Sequence, residues 1–322
     1  MDTPGVRLEA LLRADAVRLT GDPTLMESHS NDTWLASTPE GLGVVLRVCW
    51  IGDRERILRE AAVGSVLPVQ VGYPTVLAAG SLPFAGDRLT WMLTERLRGT
   101  SLAQAWPTLG DTDRERALRE VAAPLRALHA WRPPADVLSR LGPPPVSSDP
   151  DTLIGRTLLP LPLDRVRHLV RPALERAPDH RVLISQAWTW LVDHADLIPR
   201  LDDPDAGALI HGDLHLANVW WDGGQVSGLL DLEWVRLGPA WVDLSQALDN
   251  ALAGDELSGA HARLSAVLRQ EMPELEVPDL DRRLVAVELA MQIRQVLVWS
   301  PPGPDPVGDH PVRILQRLLD LS

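Results

Sequence analysis

The apolar residues of this 322-residue chain change their spacing near Gly99. Before it, short apolar runs are separated by turn signals. Met26–Ser37 and Gly43–Trp50 flank Thr38-Pro39-Glu40-Gly41, and Thr75–Ala79 and Leu89–Glu95 flank a Pro/Gly stretch. Runs of this kind predict strands. Between the two pairs, Asp53–Leu67 is rich in Arg, Glu, Leu and Ala and predicts a helix. After Gly99 the helical period takes over. Asp113–Trp131 places Ala117, Leu118, Val121, Leu125 and Leu128 on one face, and Pro124 predicts a kink or break within it. Further helices are expected within residues 1–20 and over Asp164–Arg176, Arg181–Leu197, Val242–Ala253, Glu256–Glu271, Asp279–Trp299 and Pro311–Leu321. The proline-dense stretch 133–163 predicts a rigid connection outside the core. Strand, strand, helix, strand, strand followed by helices is an α+β pattern in which a small antiparallel sheet precedes a helical portion.

Composition removes several classes of function. A net charge of −13 argues against binding nucleic acid, whose phosphates demand clustered basic residues. No apolar run is long enough to cross a bilayer, so no membrane partner is expected. The start of the chain does not pair a basic stretch with an apolar one as a signal peptide does. Cys49 is the single cysteine, which excludes an intrachain disulfide and suits a reducing cytoplasm. Residues 1–98 hold ten Arg against twelve acids, a net of −2, and the remainder holds −11. That asymmetry suits a cationic small molecule steered to the second portion, although solubility alone also accounts for it. Lysine is absent, so all 31 basic residues are arginine.

The chemistry is concentrated in Leu209–Leu232, which reads LIHGDLHLANVWWDGGQVSGLLDL. Apolar residues run into a polar loop, His211 to Asn218. A tight hairpin then turns at Asp222-Gly223-Gly224, and Asp231 follows its second strand. A loop and a hairpin end can bring carboxylate and amide oxygens together, and these are the hard ligands that Mg²⁺ prefers. A further carboxylate could accept a proton from a hydroxyl. Each residue alone is also compatible with a capped polar loop and an ordinary hairpin.

HGDLHLANV followed by LLDLEW resembles the aminoglycoside-phosphotransferase family, within the wider protein-kinase-like fold. The resemblance implies that Asp213 orients or deprotonates a substrate hydroxyl and that Asn218 and Asp231 hold Mg²⁺. It implies ATP or GTP as phosphate donor, and a bilobal molecule with residues 1–98 binding nucleotide and 99–322 forming a helical lobe. In the first lobe, MESHSNDTWLAS takes the place of the loop over the phosphates, with Ser30 and Asn31 at its tip and no glycine in it. Arg47 stands where the wider fold usually has lysine, and Glu60 is the helix acid that would hold it. Backbone groups from Thr94 to Arg96 would meet the purine. A plain reading of Arg47 is a surface residue on an edge strand.

Around the motif, Glu233 is compatible with the metal vicinity, the substrate mouth or solvent. His211 is expected to bond backbone and brace the loop, and Asp243, in Trp241-Val242-Asp243-Leu244, to brace it from below. Trp188, Trp190, Trp220 and Trp221 read as core, while Trp234 and Trp299 are candidates to stack on a substrate. The acceptor is a small hydroxylated molecule. An antibiotic is one candidate and an amino alcohol such as choline another. A nucleotide-binding pseudokinase is the competing class. The short interval from Asp231 to Asp243 leaves no room for the activation segment of a protein kinase.

Overall fold

The computed structural model of the chain describes residues 2–28, 31–141, 147–153, 161–199, 207–306 and 308–322. The first elements are α1 (Pro4–Arg13), β1 (Thr20–Met26), β2 (Asp32–Ser37), β3 (Gly43–Cys49), α2 (Glu55–Gly64), β4 (Val76–Phe84) and β5 (Asp87–Glu95). Then come β6 (Thr100–Ser101), α3 (Leu102–Ala105), α4 (Asp111–Glu120), α5 (Ala122–Ala130), α6 (Ala135–Leu138), α7 (Pro150–Leu153), α8 (Leu163–Arg176) and α9 (Arg181–Asp193). The last third holds β7 (Ala208–Ile210), β8 (Val219–Asp222), β9 (Gln225–Leu229) and β10 (Arg236–Gly238). Helices α10 (Asp243–Ala253), α11 (Ser258–Glu271), α12 (Leu280–Val298) and α13 (Pro311–Leu321) close the chain.

Strands β1 to β5 form one antiparallel sheet in the order β1-β2-β3-β5-β4. The strand count read from the sequence is therefore one short. The additional member is β1, Thr20-Gly21-Asp22-Pro23-Thr24-Leu25-Met26, and it divides the expected run at Met26: β1 stops there and β2 starts at Asp32. Gly21 and Pro23 argue against a strand, but β1 is an edge paired only with β2 and irregular between Thr20 and Thr24, where a missing N–H is tolerated. Pro83 occupies β4, the opposite edge, for the same reason.

Strand β3 lies at the centre of the sheet and is apolar on both faces. Alternation sends Val44, Leu46 and Val48 into a cluster with Leu8 and Leu11 of α1, while Cys49 packs with Ile57 and Ala61 of α2. Arg47 is in phase with Cys49 and so faces the α2 side. Leu46 is fully buried, and Leu46→Ala there costs about 2–5 kcal/mol.

Beyond the sheet the chain is helical. Pro124 has no N–H for the Glu120 carbonyl, and the helix breaks at Val121 between α4 and α5, as its sequence predicts. The proline-dense stretch departs from expectation in its described part. It contains α6 and α7, and Val137, Leu153 and Leu161 are buried in the two cores of the helical portion. Helix α12 is buried on nearly every side, packing against α8, α9 and α13, which is why it carries polar groups into the interior at Glu288, Gln292 and Arg294.

Two glycines fasten the sheet to the β8–β9 hairpin. Gly72 and Gly99 both have positive φ, and a Cβ on either would lie 2.0 Å from the Ser227 carbonyl or 2.1 Å from that of Trp221. No helix among the described residues is long and apolar enough to cross a membrane.

Candidate active site

The loop after β7 takes its shape from a carboxylate 32 residues away. Asp243, buried at the start of α10, accepts the N–H groups of His211 at 3.0 Å and Gly212 at 2.8 Å, and the His129 ring nitrogen at 2.7 Å. Burial works against its charge, but His129 and the loop donors outweigh it and hold the carboxyl below the usual carboxylate range. Gly212 is required here. Its φ is +79°, and a Cβ would lie 2.6 Å from the Trp234 carbonyl.

Leu230 ties this loop to the hairpin. Its carbonyl accepts the His211 ring N–H at 2.9 Å, and its N–H donates to the Asn218 carbonyl at 2.8 Å. Asp231, the next residue, is thereby held beside the loop, in the left-handed region at φ +60°. A non-glycine residue there stores about 1–2 kcal/mol of strain, a cost met at functional positions.

Within the loop, the Asn218 amide nitrogen donates to the Asp213 carbonyl at 2.9 Å and its Oδ2 at 3.3 Å, and lies 3.1 Å from His215 Nε2. The Asn218 amide oxygen takes part in none of these contacts. His215 Nε2 is 3.6 Å from Asp213 Oδ2. Burial opposes the Asp213 charge, but His215, His211 and Asn218 outweigh it, so the carboxyl sits below its ordinary value. Burial likewise opposes the His215 charge, yet Asp213 prevails and raises that imidazole.

Arg47 is the hub of the facing wall. Its Nη1 donates to both Glu60 oxygens at 2.8 and 2.7 Å, and its Nη2 to Asp231 at 2.9 Å and Glu233 at 3.1 Å. It is a mostly buried residue of a central strand, not a surface residue on an edge. Burial works against the guanidinium charge, but Asp231, Glu60 and Glu233 hold it well above its ordinary value. Glu60 also accepts from the Tyr73 hydroxyl at 2.8 Å and the Leu232 N–H at 2.9 Å. Burial pushes the Glu60 carboxyl up to about 7 against the pull of Arg47, and its three donors suit the ionised form.

Asn31 does not present its side chain to an open loop. Its amide nitrogen donates to Glu233 at 3.1 Å and its oxygen accepts from Arg56 at 2.9 Å. The neighbouring Asp32 is gripped by Arg7 of α1 through bonds of 2.6 and 2.9 Å. Ser30 lies outside the described residues. A cleft of about 560 Å³ opens between the sheet and the helical portion, lined by Arg47, Glu60, Thr94, Arg96, Trp220 and Asp231 among others. The Glu95 and Arg96 N–H groups are taken by the Thr75 and Gly43 carbonyls at 3.0 and 2.9 Å. Neither of these two N–H groups is therefore open to the cleft.

The tryptophans divide differently from expectation. Trp221 is core, but Trp220 lines the cleft and donates to the Arg98 carbonyl at 2.6 Å. Trp234 lies under the Arg294 guanidinium, 5.5 Å away, and its ring N–H donates to Glu233. Trp299 packs edge-on against His310.

Four participants carried no signal strong enough to single them out: Arg56, Tyr73, His129 and Asp249. Arg56 had a faint one, since it lies one turn before Glu60 on the same helical face. Asp249 accepts from Gln292 at 2.8 Å and Gln246 at 3.3 Å, and lies within electrostatic reach of Asp213. Burial and the Asp213 and Asp309 charges push its carboxyl up to about 7. Glu288, on α12 beside it, is buried with no well-formed hydrogen bond on either oxygen among the described residues, Ser245 and Gln292 being its polar neighbours. Burial and Asp249 raise it well above the carboxylate range.

The phosphotransferase enzyme family model matches residues 24–278, most of the chain. The chain belongs to this family. No curated protein matches the phosphotransferase in sequence. Among solved structures it is similar to aminoglycoside phosphotransferase APH(4)-Ia, with a TM-score of 0.61 at 17% identity over 90% of each chain. A macrolide 2'-phosphotransferase type I gives 0.57 at 18% identity, over 91% of this chain and 90% of that one. The ternary complex of APH(2")-IIa with streptomycin and ATP gives 0.56 at 14%, over 99% and 97%. At these identities the likeness carries the fold, which is the protein-kinase-like one. The phosphotransferase is thus a kinase-like enzyme that transfers phosphate to hydroxyl groups. Asp231 and the Asn218 amide oxygen, which takes no part in the loop's own bonds among the described residues, are hard oxygens that fit a divalent cation, whereas the Glu60 and Glu233 oxygens close to Asp231 are engaged by Arg47 and other donors.

Proposed function

We propose that the phosphotransferase moves the γ-phosphate of ATP or GTP onto a hydroxyl of a small cationic acceptor, with residues 1–98 holding the nucleotide and 99–322 the catalytic loop and acceptor. One observation carries the reading. Leu230 binds the 211–218 loop through both its carbonyl and its N–H, which holds Asp231, at the rim of the cleft, within electrostatic reach of Asp213.

In this scheme Asp213, held ionised by His215 and His211, accepts the hydroxyl hydrogen bond and aims the oxygen for in-line attack. Asp231 and Asn218 hold Mg²⁺, which when bound neutralises phosphate charge. Arg47, oriented by Glu60, faces the phosphates with its fixed positive charge, and Thr94 to Arg96 border the purine. Asn31 contributes backbone rather than side chain toward the phosphates, since its side chain is engaged elsewhere. Asp249, raised by burial and by the Asp213 and Asp309 charges, and Glu288, raised by burial and by Asp249, support an acceptor whose ammonium group relieves their crowding. Antibiotics and amino alcohols both meet that description. The buried, lone Cys49 suits a cytoplasmic setting.

The test is phosphate transfer from ATP and from GTP to a panel of hydroxylated antibiotics and amino alcohols, each with and without an amine. Transfer to amine-bearing acceptors, abolished by Asp213→Ala, is expected. Transfer restricted to neutral acceptors would remove the cationic assignment, and turnover unaffected by Asp213→Ala would remove the catalytic one.

A further inference from the structure

Two unusual features of the sequence, a loop without glycine ending in Asn31-Asp32 and an arginine at position 47, converge on one carboxylate. Glu233 is 7% exposed. Its Oε2 accepts from Arg47 Nη2, Arg56 Nε and Asn31 Nδ2, each at 3.1 Å, and its Oε1 accepts from the Trp234 ring at 3.1 Å. Arg56 is fully buried and closes the arrangement by donating to the Asn31 oxygen at 2.9 Å and the Ile51 carbonyl at 2.9 Å. One acid therefore joins the phosphate loop, β3 and α2 to the residues just after Asp231.

The same geometry shows what Glu233 does not do. Three N–H groups crowd Oε2, which has only two lone pairs, and the Trp234 ring takes one site on Oε1. Ligating a cation through Oε2, the oxygen on Arg47, would cost a buried donor. What it can do is share Arg47. The Nη2 group lies 2.9 Å from Asp231 and 3.1 Å from Glu233, while Nη1 stays on Glu60. When Asp231 turns its oxygens to a metal, Nη2 must find another acceptor in a buried site, and Glu233 is already in place. The planar fork of an arginine permits this division between two acids.

We infer that Glu233 is a positioning residue that keeps Arg47 in register when Asp231 is engaged by a metal–nucleotide complex, with Arg56 and Asn31 holding Glu233 for that role. The inference rests on the assignment of Asp231 as a metal ligand. It accounts for two departures at once: the arginine is workable because it has a second acceptor, and the loop needs no glycine hinge because Asn31 is latched.

The experiment is calorimetric titration of Mg²⁺ into the protein with the non-hydrolysable analogue AMP-PNP, in wild type, E233Q, R47M, the double variant and D231N. In the arginine background E233Q should weaken Mg²⁺ binding, and in the R47M background that loss should shrink by about tenfold, the scale of one charge-assisted hydrogen bond. Equal losses in the two backgrounds would overturn the inference and make Glu233 a direct ligand. Unchanged Mg²⁺ affinity in D231N would instead overturn the metal assignment, and the inference with it. The thermal midpoint of each nucleotide-free variant checks folding. Should E233Q not fold, E233D keeps the charge but withdraws it by one methylene, and the same comparison across backgrounds decides. A structure of the wild type with Mg²⁺ and AMP-PNP gives a second readout: Arg47 Nη2 should remain on Glu233 and leave Asp231, and an Arg47 that abandons Glu233 would refute the role.

Discussion

Asp243 accepts the His211 N–H at 3.0 Å from 32 residues away, and with it sets the shape of the loop that carries Asp213. That bond, with those from Gly212 and His129, leaves the loop's geometry independent of the Asp213 side chain. Among the described residues, the Asp213 side chain is held by Asn218 and its contact with His215. The two aspartates should therefore fail in different ways when replaced.

Asp213→Ala should lower turnover by at least about 100-fold, the scale of a positioned base, while nucleotide affinity stays within about twofold. Turnover and nucleotide binding measured on one preparation check it. Retention of more than about a tenth of wild-type turnover would move the base elsewhere.

Asp243→Ala should instead unfold the loop's support. It leaves two backbone N–H groups and a histidine nitrogen buried without their acceptor, at about 1–3 kcal/mol each, so a loss of about 3 kcal/mol or more is expected in denaturant titration. The sign with pH follows from the lowered carboxyl. Its contribution is present above the ordinary carboxylate range and is lost as pH falls through the folded-state value. Asp243→Asn should remove that acid-side loss.

Asp249 has the opposite sign. Pushed up to about 7 from an ordinary 3.8, chiefly by burial, it keeps a proton in the folded state that the unfolded chain releases. Stability should therefore fall as pH rises from about 4 to about 7 and level off above, and Asp249→Asn should flatten that slope. Denaturant midpoints across this range measure it. An unaltered slope in the variant would assign the proton uptake to Glu288 or Glu60, which burial also raises.

Asn218→Ala and Asp231→Ala should both raise the Mg²⁺ requirement for nucleotide binding, Asp231→Ala the more severely, because a carboxylate neutralises charge and an amide supplies a dipole. Asp231→Ala also removes one of the three acids around Arg47, so its thermal midpoint without metal reports the Arg47 contact separately.

What could be read from the chain was whatever lies close in sequence. Asp213 and Asn218 are five residues apart in one loop, and Asp231 is one hairpin further on. Arg47 and Glu60 are separated by one crossing connection. The latch was not legible, because Asn31 and Arg56 meet Glu233 across 202 and 177 residues, and Arg56 in a helix full of Arg and Glu looks like a solvated charge. Strand β1 was hidden by Gly21 and Pro23, which an edge tolerates and a central strand does not. Trp220 was read as core because its neighbours are apolar, yet alternation along β8 buries Trp221 and turns Trp220 to the cleft.

Arg47 gives the sharpest remaining test, because its plain alternative is silent. It spans Glu60, Asp231 and Glu233, and in the proposed scheme its charge serves both nucleotide binding and the charge-redistributed transition state. Arg47→Ala should raise the apparent nucleotide requirement and lower turnover together. It should also destabilise the protein by about 3–5 kcal/mol, as expected when a buried ion pair loses one partner and leaves crowded acids behind. Arg47→Lys should recover part of the activity, since a point charge reaches a phosphate but cannot divide itself between the acids as the fork does. Glu60→Gln should resemble a milder Arg47→Ala, because Tyr73 and the Leu232 N–H still hold the side chain while the guanidinium loses its charged partner. Steady-state kinetics and denaturant midpoints for the three variants decide the matter. If all three stay within about 0.5 kcal/mol of wild type and keep its kinetics, as surface substitutions do, Arg47 has no part in the site.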